Sequence, residues 1–118
     1  MPPIEAHVLE EDVPTCTFAS LLEEHGDRGR VDLLYIDAEG YDWELLRGFP
    51  FIAGPGASAA NPSVVVFEHK NLYMKDRLAA AELLQSHGYT VADGWQSDRG
   101  EDMVAWLSAG CHYAATCL

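Results

Sequence analysis

Two short apolar runs, each closed by an acid, constrain this chain more than any other feature. Val31-Asp32-Leu33-Leu34-Tyr35-Ile36 is nearly all apolar and ends in Asp37-Ala38-Glu39-Gly40. Ser63-Val64-Val65-Val66-Phe67 repeats the pattern and ends in Glu68-His69. Runs of this length without polar alternation suit strands covered on both faces, as in a parallel sheet. Helical patterns flank them. Thr17 reads as an N-cap for Phe18, Leu21, Leu22 and His25, with Gly26 as the stop. Tyr41 to Arg47 reads as a short helix, acidic at its start, basic at its end and stopped by Gly48. Met74, Leu78, Ala81 and Leu84 share one face of another helix, which stops at Gly88. Strands alternating with helices predict an α/β fold with a mostly parallel sheet.

The remaining segments complete that outline. Val13 to Cys16 suits a short edge strand, because Pro14 cannot donate to a ladder. Residues 49–62, rich in Gly, Pro and Ala, read as a loop. Tyr89–Ala92 and Met103–Leu107 read as strands of a C-terminal antiparallel hairpin around the polar stretch 93–102. The whole of 1–118 forms one partial domain, with an N-terminal arm at 1–12 and a loose tail at 108–118.

Charge and cysteine usage exclude several partners. The 19 acidic side chains against 7 basic ones give a formal charge of −12, a surface that repels nucleic acid. The three cysteines, Cys16, Cys111 and Cys117, are an odd set without a C-x-x-C pair. A disulfide framework and a structural zinc site are therefore not expected, and Cys16 reads as a small core residue. The N-terminus lacks a basic and an apolar signal region, and no apolar run approaches the ~20 residues that span a bilayer. A cytoplasmic protein without a membrane partner is expected.

Ligands of open parallel sheets bind beyond the carboxyl ends of the strands. If the two acid-terminated strands are neighbours, Asp37 and Glu68 face one crevice, roughly 5–10 Å apart given the strand spacing. Glu39 and His69 stand close behind them. Carboxylates and a histidine on one rim can orient a substrate hydroxyl or take its proton. Each group also has a structural reading: Asp37 as a helix cap, Glu39 as a helix-dipole partner, His69 as a satisfied loop histidine, and Gly40 as a backbone requirement. Three oxygens from Asp37, Glu39 and Glu68 could also serve Mg²⁺, and Glu68-His69-Lys70 after an acid fits the loose pattern of a metal-dependent nuclease. No metal is assigned.

The stretch from Val31 to Gly48 resembles the central signature of FkbM-type methyltransferases, a hydrophobic strand followed by I-D-x-E-G-x-E/D-x-x-x-L-x-G. Thr15 to Leu22 is similar to the family's T-L-D-x-L helix start, with Phe18-Ala19 in place of Leu-Asp. Val64 to His69 is similar to its next strand and terminal acid, and Leu83 to Val91 to its L-x-x-x-G-Y-x-V segment. The resemblance spans about residues 13–107. It implies a Rossmann-like sheet and S-adenosylmethionine-dependent methylation of a hydroxyl on a small molecule or sugar. It also implies that Asp37, Glu39 and Gly40 lie near the donor, and that Asp37, Glu68 and His69 serve catalysis. The family's glycine-rich donor loop has no counterpart here, since Gly54-Pro55-Gly56 is not expected to follow a strand or open a helix. The chain is thus expected to be the C-terminal half of the domain, a fragment or a non-catalytic module derived from it. A missing neighbour for the first strand would leave a bare apolar edge. Residues 5–16, or a second copy of the chain, are expected to cover it.

Overall fold

The computed structural model describes residues 3–25, 31–97 and 100–107. Its elements run α1 (Phe18–His25), β1 (Leu33–Ile36), α2 (Asp42–Gly48), α3 (Ala57–Ala60), β2 (Val64–Glu68), α4 (Met74–Ser86), β3 (Tyr89–Val91) and β4 (Asp102–Leu107). Gly26, Cys111, Cys117 and the tail 108–118 lie outside the described residues.

Local chemistry explains most of these boundaries. The Thr17 hydroxyl accepts the Ser20 N–H at 3.1 Å, the expected cap of α1. Gly88 follows α4 with φ at 87°, the left-handed conformation that ends a helix at low cost to glycine. The loop 49–62 holds the short turn α3 and is pinned by a buried side chain. Asn61 accepts the Ile52 N–H and donates to the Ile52 carbonyl, both at 2.8 Å.

The four strands form one open sheet in the order β1-β2-β4-β3. β1 and β2 are parallel, with Ile36 opposite Phe67. β4 runs antiparallel to both β2 and β3. The C-terminal hairpin is as expected, but the mostly parallel sheet is not. Two of the three strand pairings are antiparallel, because β4 folds back to lie between β2 and β3.

Among the described residues, helices cover one face only. Leu34, Ile36, Val65, Phe67, Met103 and Ala105 alternate inward and pack with Leu46, Leu84 and Tyr89 into one core. The opposite face is open: Leu33 is 55% exposed and Tyr35 58%. Neither apolar strand is therefore covered on both sides among the described residues. α4 meets its expected face in part, with Ala81 and Leu84 buried as expected. Arg77, Ala80, Ala81 and Leu84 are buried, while Met74 and Leu78 point outward. The small alanines let the helix approach the sheet. Buried Arg77 is satisfied by backbone carbonyls, among them Leu72 at 3.1 Å.

The N-terminal segment departs most from expectation. Val13 to Cys16 forms no strand, and Cys16 is exposed rather than in the core. β1 is an edge strand, and residues 5–16 are exposed without pairing to it. A proline-interrupted, acid-rich segment offers too few ladder donors and too little apolar surface to be held there. No helix among the described residues is long and apolar enough to cross a membrane.

Candidate functional site

The parallel pairing of β1 with β2 makes the site. Ile36 and Phe67 lie in register, so the residues that follow them, Asp37 and Glu68, emerge together at the carboxyl ends of both strands. Oxygens of Asp37, Glu39 and Glu68 all lie within 4.8 Å of one another. That is about the spacing of neighbouring strands, at the short end of the expected range.

The turn has an unusual backbone. Glu39 has φ at 48° and Gly40 at 103°, both in the left-handed region. Only glycine adopts such a conformation without strain, so Gly40 is a backbone requirement. A Cβ there would meet the Asn71 Cβ at 3.5 Å, an ordinary contact, so backbone conformation rather than crowding sets the requirement. Asp42 stabilises the turn from below. Its side chain is wholly buried, and it accepts the Ala38 N–H at 3.2 Å and the Gly40 N–H at 3.1 Å. Asp37, for which a cap is the alternative reading, is exposed.

Asn71 ties the two strand ends together. Its amide donates to Glu68 Oε1 at 2.9 Å and reaches Glu39 Oε2 at 3.5 Å. The Glu68 pKa is raised above its ordinary value. Partial removal from water is the largest cause, followed by the negative charges of Glu39 and Asp37 and a hydrogen bond to Asp37.

The structure thus brings Asp37, Glu39, Gly40 and Glu68 to one rim. His69 is placed differently. It is 1% exposed and continues the inward series Val65, Phe67. Lys70 is exposed and bound to Glu101 at 2.9 Å, a bond that raises its pKa. Tyr41 is exposed, and Trp43 packs against the core. Two residues of the site were not singled out from sequence. Asp42 reads there as an ordinary first-turn acid, and Asn71 carries no signal beyond standing three positions after Glu68. An apolar cavity of about 260 Å³ lies elsewhere, lined by Cys16, Phe18, Leu21 and Leu45 with Thr17, Glu44 and Gly48.

Clustered carboxylates of this kind can do two things. They can stabilise a positively charged group, and they can accept hydrogen bonds from a hydroxyl and take its proton. They could also share one divalent cation, but acidic groups on a surface gather without one, and no other feature here points to an ion.

A family model described as "Methyltransferase FkbM domain" matches residues 5–91, from the N-terminal arm through β3. The signature stretch 31–48 falls inside that match, while β4 lies beyond it. No curated protein and no solved structure matches the chain significantly. The match displaces the nuclease alternative, whose lysine is in any case engaged by Glu101.

Proposed function

The chain belongs to the FkbM methyltransferase domain family, and on that premise we propose that it carries the catalytic rim of an S-adenosylmethionine-dependent O-methyltransferase. The convergence of Asp37, Glu39 and Glu68 beyond the carboxyl ends of two parallel strands carries this reading. When bound, S-adenosylmethionine supplies an electrophilic methyl carbon on a positively charged sulfur. The donor set fits the cationic end of that molecule, since carboxylates stabilise a sulfonium and an ammonium alike. Asp37 and Glu39, on the turn after β1, are the groups placed to hold that end, with Gly40 allowing close backbone approach.

Glu68 is the proton acceptor of this proposal. Its raised pKa makes it a better base once ionised. Glu68 would accept the hydrogen bond of an acceptor hydroxyl and take its proton, while the donor would supply the methyl group, its carbon–sulfur bond breaking to leave a neutral thioether. Positioning of the two reactants supplies most of the rate. The acceptor class is a hydroxyl of a small molecule or sugar. His69, buried on the packed face, is given no direct role. The described residues hold no glycine-rich turn leading from a strand into a helix, so they account for only the rim side of the donor site.

Calorimetry with S-adenosylmethionine tests the reading. Saturable binding that weakens at least tenfold in Asp37→Asn supports it. Absence of heat at millimolar donor removes this chain alone as an enzyme. The bare β1 edge beside Leu33 and Tyr35 would then favour a second reading, a non-catalytic module pairing two copies through that edge. Sedimentation as a monomer at all concentrations would exclude that version.

A further inference from the structure

The rim depends on a turn that is not stable by its own conformational preference. Glu39 is a side-chain-bearing residue in the left-handed region, and Gly40 follows it there. Gly40 is at ease there, but Glu39 is not, and a residue so held persists only where the surrounding structure fixes it. The backbone N–H groups on either side of Glu39, those of Ala38 and Gly40, both point to the same acceptor, the Asp42 carboxyl group. That group is wholly buried, though it lies only three residues from an exposed acid. A first-turn acid serving only the dipole of α2 would stand in solvent, where placement costs nothing.

We propose that Asp42 is the positioning residue of the carboxylate rim: by accepting the Ala38 and Gly40 N–H groups, it locks the turn that aims Asp37 and Glu39 at Glu68. Asp42 does not touch a substrate. It acts through the backbone, fixing the Asp37–Ala38 and Glu39–Gly40 peptides and hence the direction of the Glu39 side chain between them. Asn71 supplies the opposite reference point, since its amide contacts Glu68 and reaches Glu39 only while the turn is closed. The assignment rests on the methyltransferase reading for its purpose but not for its geometry.

The test is nuclear magnetic resonance of the whole chain without donor, comparing the native sequence with Asp42→Asn. Asparagine keeps the size and one acceptor oxygen but turns an NH₂ group toward a backbone N–H. The expected result is loss of the nuclear Overhauser contact between the Glu39 γ protons and the Asn71 side-chain amide, with the Asn71–Glu68 contact retained. A purely structural Asp42 would lower the melting temperature and leave the Glu39–Asn71 contact unchanged, and that outcome overturns the proposal. If Asp42→Asn does not fold, the native chain still decides. Scalar couplings across the hydrogen bonds from the Asp42 carboxyl carbon to the Ala38 and Gly40 nitrogens are expected, and their absence overturns the proposal. None of these readouts involves the methyl donor. Failure to bind S-adenosylmethionine would therefore count against the proposed function and not against the role of Asp42.

Discussion

The two faces of the sheet are built from the same kinds of residue and have opposite fates. On the packed face, Val65, Phe67 and Ala105 are completely buried under α2 and α4. On the open face, their immediate neighbours Val64, Val66 and Val104 are half-buried, and Leu33, Tyr35 and Trp106 are exposed. Strand composition does not separate them, because strand residues alternate and both sets are apolar. What separates them is the presence of a helix layer. The same alternation puts Glu68 with the open set and His69 with the packed set, so the face that carries the rim is the one without a hydrophobic cover.

The comparison is broken most severely at its centre. Phe67→Ala should cost about 3–5 kcal/mol in urea unfolding, since the side chain is fully buried and its cavity cannot collapse easily. A cost below about 1 kcal/mol would mean that the packed face is not the core. Tyr89→Phe should cost less, about 1–2 kcal/mol, by removing the 2.6 Å hydrogen bond to the Pro62 carbonyl. Burial pushes the Tyr89 pKa up to about 12 from 10.0. The folded chain thus keeps that proton where the unfolded chain loses it, and stability falls as pH rises above 10. Tyr89→Phe should flatten this alkaline loss.

Changes on the open face should be small. Leu33→Thr or Tyr35→Thr, which keep a strand-forming side chain, should shift stability by no more than about 0.5 kcal/mol. A loss above about 2 kcal/mol would show that this face is covered in solution. The smallest expected effect is at Glu68. Its raised pKa means the folded state binds the proton more tightly than the unfolded state. Its contribution is present below the ordinary value of 4.5 and lost as pH rises through the higher folded value. Glu68→Gln should remove that part of the slope in acid unfolding curves. An unchanged slope would mean that Glu68 is not held near Glu39 and Asp37.

Much of this arrangement was legible in the chain. Ile36-Asp37 and Phe67-Glu68 announced two strands with acids at equivalent ends, and strand length with β-branched content sufficed to find them. The caps at Thr17 and Gly88 followed from local hydrogen bonding and backbone freedom. The failures share one cause. Val13 to Cys16 has strand-like residues but no neighbour to pair with. Met74 and Leu78 share helical spacing with the buried Ala81 and Leu84, yet Arg77 and the small Ala80 proved the better fit against the sheet.

By itself, the sequence determined the two acid-ended strands, the C-terminal hairpin and the three longer helices, and that Asp37, Glu39 and Glu68 stand at strand ends. Only the tertiary structure decided that β4 enters between β2 and β3, that one face of the sheet stays open, and that Asp42 turns inward to clamp Ala38 and Gly40. The division has a physical origin. Propensity, capping and hydrophobic period act over a few residues and can be read along the chain. Which strand is a neighbour, which face is covered and which acid is buried depend on contacts between distant segments, whose free energies no local pattern encodes.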